Sequence, residues 1–255
     1  MKKDQHVNSS MSKESNACME LYVRNARERQ VDEITIVDEF NPTSLEPLNI
    51  EEYYFEYLRF MFNEITPINL GLEVVLSKNH EKKIREAIAA YKFDLIVGST
   101  DPTSLSVSSK DICAEYLETV LANVRTYKND IDVVRSQIDS FKNSDGSRIK
   151  VSKYQDLIDE ILRTLISNNI GIEVNSSSFE GLIPYSTPSI QILKRYKELG
   201  GSIITVGSYA STVEDLSLYF ENVYKALKGL GFDAISQFHK RTPEQIELTR
   251  FKAVG

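Results

Sequence analysis

The chain has 255 residues, with 30 Lys and Arg against 37 Asp and Glu, a formal charge of −7. That length fits one domain of the α/β-barrel size class, 1–255, which buries about three quarters of its unfolded surface and needs no metal or disulfide merely to fold. The negative charge argues against nucleic acid as the default partner, no apolar run reaches the roughly 18 residues of a membrane span, and the polar opening carries no visible signal peptide.

Short β-rich runs alternate with longer helical patterns. Lys3–Asn8 reads as the first strand. Ala17–Gln30 reads as a helix, with Cys18, Leu21, Tyr22 and Ala26 at the i, i+3, i+4 spacing of one buried face. Glu33–Val37 is a strand and, after Pro42 and Pro47, Ile50–Ile65 is a helix. Leu70–Leu76 is a strand, Glu81–Tyr91 a helix, Asp94–Thr100 a strand and Asp111–Tyr127 a helix. Ile131–Ile138 reads as a strand, Lys142–Arg148 as a turn-rich loop, Tyr154–Asn168 as a helix and Gly171–Asn175 as a strand. Pro188–Leu199 is a helix, with Thr187 as its cap, Pro188 in its first turn and Gly200-Gly201 at its end. Ser202–Val206 is a strand, Thr212–Leu230 a helix and Phe232–Phe238 a last strand. About eight strands alternating with helices point to a parallel sheet closed into a barrel. Open doubly wound sheets share this alternation, so periodicity alone does not separate the two. Cys18 and Cys113, the only cysteines, fall in helix patterns and suggest reduced core thiols of a cytoplasmic protein.

A barrel places function at the C-terminal ends of its strands. Those positions are His6 to Asn8, Asp38-Glu39, Glu73, Ser99 to Asp101, Gln137 to Asp139, Asn175 and Gly207 to Ser211. Many are polar and several acidic. Against the 37 acids stand only three histidines, His6, His80 and His239.

These segments resemble the PHP (polymerase and histidinol phosphatase) superfamily, specifically its monofunctional histidinol-phosphate phosphatases. Asp4-Gln5-His6-Val7-Asn8-Ser9 is similar to D-x-H-x-H-S/T, and Glu33–Glu39 to a strand ending in T-D-H. Leu70-Gly71-Leu72-Glu73-Val74 resembles L-G-L/I-E-V/A, and Asp94–Asp101 a strand ending in G-S-V/I-H. Ser136-Gln137-Ile138-Asp139 stands at G-H-L/P-D. Glu173-Val174-Asn175-Ser176-Ser177 is similar to L/I-E-I/V-N-T/S-S, and Gly207–Ser211 with Glu214-Asp215 to G-S-D-A-H-x-x-E-D. The seven segments lie in order along nearly the whole chain. The resemblance implies a distorted TIM-like (β/α)7-8 barrel. It also implies a cluster of two or three divalent ions that activates water and polarises a phosphate ester.

Carried over position by position, the family's ligands are mostly replaced. His6 keeps the first histidine and Glu73 the bridging glutamate. Asn8 stands for the second histidine, Glu14 for the aspartate of the first loop, Glu39 for the T-D-H histidine, and Asp101 for that of G-S-x-H. Gln137 replaces the G-H-x-D histidine, while Tyr209 and Ser211 replace both ligands of G-S-D-A-H. Asn8 and Gln137 are weak ligands of transition metals. Ser211 is too short to reach as an imidazole does, and Tyr209 is large enough to fill the space of a metal.

Two readings follow. In the first, the chain is a degenerate relative of histidinol phosphatase, its trinuclear site dismantled, acting as a non-catalytic, binding or regulatory protein. In the second, Glu14, Glu39, Glu73 and Asp101 bring carboxylates into one cleft, where repulsion would raise their pKa values unless a cation relieves it. Glu73, Glu39 and Asp101 would then hold Mg²⁺, Mn²⁺ or Zn²⁺, and His6 would assist hydrolysis of a phosphomonoester. A small phosphorylated ligand is expected in either case. Arg135 is the candidate partner for an anion or for Glu73, with Lys153 and Arg163 as further possibilities. The tail from His239 through Lys240, Arg241 and Thr242 to Pro243 is expected to face water, and His80 to lie on the surface.

Overall fold

The computed structural model describes residues 2–12, 15–62, 66–102, 105, 111–135, 151–179 and 187–248. Seven strands form one sheet in chain order: β1 (Lys2–Val7), β2 (Val31–Phe40), β3 (Ile68–Val75), β4 (Leu95–Ser99), β5 (Val133–Arg135), β6 (Gly171–Asn175) and β7 (Ile204–Gly207). Every neighbouring pair is parallel. The helices between them are α1 (Met19–Asn25), α2 (Ile50–Leu58), α3 (Glu81–Ala90), α4 (Ile112–Tyr127), α5 (Gln155–Ser167), α6 (Ile190–Glu198) and α7 (Phe220–Gly229). A parallel sheet needs apolar cover on both faces, and β3, reading INLGLEVV, is buried along its whole length.

The sheet curls until its edges meet. Val7 forms a parallel bridge with Ala210, just past β7. The Tyr209 N–H donates to the His6 carbonyl at 2.8 Å, and the Asn8 N–H to the Ala210 carbonyl at 3.0 Å. A Cβ at Gly207 would lie 2.3 Å from the His6 Cβ, so glycine there is what lets the two edges close around the histidine. The result is a nearly closed TIM-like barrel of seven strands.

The last strand read from the sequence does not join it. β8 (Ala234–His239) pairs antiparallel with β9 (Thr242–Glu247) as a separate hairpin. The seam between β1 and β7 is already bonded, so no edge is left for an eighth parallel strand. The hairpin lies across the N-terminal end of the barrel. At its tip Lys240 and Arg241 adopt φ of +49° and +63°, the left-handed pair that a two-residue hairpin turn requires. Their N–H groups bond Asp94, the residue before β4.

Two helix starts also differ from the sequence reading. Thr187 is held in an antiparallel bridge with Asn175, which keeps the chain extended through Pro188, and Ser189 caps α6 by accepting from the Ile192 N–H at 3.4 Å. The segment after Thr212 makes only a short 3-10 turn, Val213–Asp215, and is interrupted before α7, because Ser217 and Tyr219 have positive φ and the Ser217 N–H is drawn to Asp4 at 2.9 Å. α1 and α2 are shorter than their apolar patterns. Inside the barrel Val37, Leu95, Val97, Val133 and Phe238 form a small apolar plug. The larger core, including Ile34, Ile36, Leu70 and Leu72, packs the sheet against the helices. Cys113 is part of that core, while Cys18 is half-buried ahead of α1.

Candidate functional site

At the C-terminal ends of the strands, alternation decides which side chains point into the barrel. Register then brings them together. Glu39 on β2 is opposite Glu73 on β3, Arg135 on β5 is opposite Glu173 on β6, and Glu173 is opposite Thr205 on β7. With His6 of β1 and Tyr209, two residues past β7, the side chains of Glu73, Arg135, Glu173 and Thr205 form one network.

His6 stands at the centre, its side chain 1% exposed. Its Nδ1 lies 2.8 Å from Glu173 Oε1 and its Nε2 3.5 Å from Glu73 Oε2. Arg135 NH1 donates to both Glu73 oxygens, at 3.1 and 3.2 Å. The Tyr209 hydroxyl donates to Glu173. The Tyr209 ring is stacked on His6, with centroids 3.8 Å apart and planes 18° apart, and the Arg135 guanidinium carbon is 4.5 Å from the same ring centre. Histidine and guanidinium thus flank one aromatic ring. Tyr209 reaches this position with φ of +55°, an unusual conformation for a bulky residue, fixed by its N–H bond to His6.

The electrostatics follow from burial and partners. Burial alone would raise the Glu73 pKa, but the Arg135 guanidinium and then His6 hold it below the ordinary carboxylate value. Burial opposes charge on His6, and Glu173 followed by Glu73 outweighs it, so its pKa lies above the ordinary imidazole value. Burial, with the neighbouring Glu173, pushes the Tyr209 phenol far up, so it keeps its proton and donates. Two carboxylates therefore face one permanent and one titratable cation.

Two further acids anchor the surrounding loops. Asp4 accepts from the N–H groups of Ser208 and Ser217, each at 2.9 Å, and burial pushes its pKa up to about 6. Asp38 accepts from the Ser9 N–H at 2.8 Å and its hydroxyl at 2.5 Å, and burial pushes it to about 7. Asp4 thus ties the turn after β7 to β1, and Asp38 ties the turn after β1 to β2.

Of the residues singled out in the sequence, the structure gathers His6, Glu73 and Tyr209, with Arg135 on Glu73. Asn8 is buried beside them at the β1–β7 seam, and Glu39 sits on β2 in register with Glu73. Asp101 is half-buried just past β4. Ser211 lies outside the cluster, its carbonyl accepting from the Ser15 hydroxyl at 2.9 Å. Glu14, Gln137 and Asp139 fall outside the described residues. Glu73 is paired with Arg135, the partner considered for it in the sequence, and that countercharge keeps its pKa from rising as an unpaired crowded acid's would.

Of the tail expected to face water, Lys240, Thr242 and Pro243 are exposed, and His239 and Arg241 are half-buried. Arg241 binds Asp132 through Nε and NH2, and His239 Nε2 lies 3.3 Å from Glu33. Glu173 was missed. Its signal was present: it precedes Asn175 by two residues, so alternation points both to the same side of the sheet.

Among the described residues, no group of three or more His, Cys, Asp or Glu side chains is arranged to hold a metal ion. No described helix is long and apolar enough to cross a membrane.

Comparison with known proteins adds the context. A family model described as PHP domain matches residues 4–177. The chain is 26% identical over 211 residues to a probable histidinol-phosphatase of Clostridium acetobutylicum, covering 76% of this chain and 78% of that protein. It is 25% identical over 264 residues to the histidinol-phosphatase of Lactococcus lactis, covering 93% and 95%. Among solved structures it is similar to the Lactococcus lactis histidinol phosphate phosphatase complexed with zinc, L-histidinol and phosphate. That match has a TM-score of 0.83 at 22% identity over 95% of this chain and 98% of the other, a likeness of fold.

Proposed function

The chain belongs to the PHP-domain family, and from that premise we propose that it is a non-catalytic relative of the histidinol phosphatases, a cytoplasmic binding or regulatory protein. The observation that carries this reading is the Tyr209 ring stacked on His6 and bonded to Glu173 at the barrel mouth. The described residues there do not fit a multinuclear metal cluster. Glu73 has both oxygens taken by Arg135, and a guanidinium is a donor that cannot ligate. The phenol keeps its proton, so it offers no anionic oxygen. The reading routes no chemistry through a metal.

The expected ligand is a small phosphorylated compound. The family resemblance supports it, as does the phosphate held by the Lactococcus lactis enzyme.

One observation favours a second reading. Glu39 is in register with Glu73 on the adjacent strand, and with Asp101 just past β4 these are the carboxylates that a remodelled phosphomonoesterase would use to hold Mg²⁺, Mn²⁺ or Zn²⁺. One experiment separates the two. The protein is purified without chelator, its metal content is measured, and phosphomonoester hydrolysis is assayed with each of these ions. The proposal expects no stoichiometric metal and no turnover. Near-stoichiometric metal, with turnover abolished in Glu73→Gln, establishes the phosphoesterase instead.

A further inference from the structure

We infer that the Arg135 guanidinium is the resident cation of the barrel mouth, an internal charge that clamps the Glu73 carboxylate, which a bound divalent ion would otherwise hold. This rests on the non-catalytic reading and states what the retained residues do in such a protein. Glu73 is only 2% exposed. A carboxylate at that depth is costly without a countercharge. NH1 lies about equally far from both of its oxygens, at 3.1 and 3.2 Å, so one cation bridges the two.

The same guanidinium packs against Tyr209, whose hydroxyl binds Glu173, which in turn holds His6. The chain of contacts runs from β3 through β5 and the turn after β7 to β6 and β1. It crosses the β7–β1 seam where the barrel closes. Arginine suits this place because it is planar, stacks on an aromatic ring and is charged at every physiological pH, whereas lysine is a compact point charge without a stacking face. The clamp therefore needs no supply of metal.

The test is thermal unfolding of the full chain, wild type and variants, with EDTA and with millimolar Mn²⁺. Neither addition should move the wild-type midpoint. Arg135→Met should lower it by roughly 10 °C, since it strands a buried carboxylate. Arg135→Lys should lie between the two. Arg135→Met combined with Glu73→Met removes both charges at similar volume, and it should recover at least half of the loss. That double variant also keeps the test open if Arg135→Met alone does not fold. Mn²⁺ should raise the midpoint of Arg135→Ala, where the guanidinium's place is vacated, while leaving wild type unmoved. The inference is overturned if Arg135→Met is as stable as wild type, or if the double variant is no better than the single. Should wild type prove metal-free and inactive while Arg135→Met keeps full stability, this inference alone fails. Should wild type carry metal and turn over substrate, the non-catalytic reading fails first.

Discussion

Both ends of the barrel carry buried ionic clusters, and they are built differently. At the mouth, Glu73 and Glu173 are 2% and 0% exposed, and their partners come from strands and turns of the barrel itself. At the floor, Glu33 is bonded by Lys3 at 3.0 Å and by Asn69, and Asp132 is held by Arg241 at 3.0 Å. These floor acids are somewhat more open, at 10% and 9% exposed. Their cations arrive from the two extremes of the described chain, Lys3 on β1 and Arg241 at the tip of the β8–β9 hairpin. The floor cluster thus fastens the hairpin across the strand starts. The mouth cluster instead fills, with an aromatic ring and a guanidinium, the end where barrels place their chemistry. One physical need, a countercharge for a buried carboxylate, is met by the chain's own side chains at both ends. At the mouth, Arg135 meets it for Glu73 and His6 for Glu173.

The sharpest way to break the mouth is at Glu173. Glu173→Ala leaves the His6 Nδ1 and the Tyr209 hydroxyl without their shared acceptor, and a loss of about 3–5 kcal/mol is expected in chemical denaturation. At the floor, Arg241→Ala should cost about 2 kcal/mol, because the arginine is one third exposed while Asp132 keeps the Ile96 N–H as a donor at 2.7 Å. If the two losses came out equal, or the floor lost more, the contrast drawn from burial would be wrong.

The smallest effect concerns pH. Burial raises the Glu33 pKa, but hydrogen bonds from Lys3 and Asn69 bring it below the ordinary value. A depressed folded pKa gives stability that is fully present above the unfolded value of about 4.3 and is lost as pH falls through the folded one. The stability gap between wild type and Glu33→Gln should therefore be constant near neutrality and shrink on acidification below about 4.3. A gap that widened there would reverse the assigned sign.

Much of the fold was legible in the sequence because parallel strands buried on both faces leave continuous apolar runs, as at Leu70–Leu76 and Asp94–Thr100. Helix ends were less legible. Hydrophobic spacing continues past Leu58, but the helix does not, and Pro188 reads as a first-turn residue until the bridge from Thr187 to Asn175 holds the chain extended. The hairpin was read as an eighth barrel strand because a strand pattern does not state its partner.

By itself the sequence determined the family resemblance and the barrel class, and that resemblance implies acids, amides and Ser211 in place of imidazoles, and Tyr209 in place of an aspartate, at the strand ends. These are matters of residue identity and spacing. Only the tertiary structure decided which charges meet. Glu173 is 38 residues from Arg135 and 36 from Tyr209 in the chain, and it joins them because strand register and closure of the β1–β7 seam bring β1, β5, β6 and the turn after β7 to one point. Burial then makes each contact matter, since a carboxylate sealed from water takes whatever cation the fold puts beside it, and here those cations are His6 for Glu173 and Arg135 for Glu73.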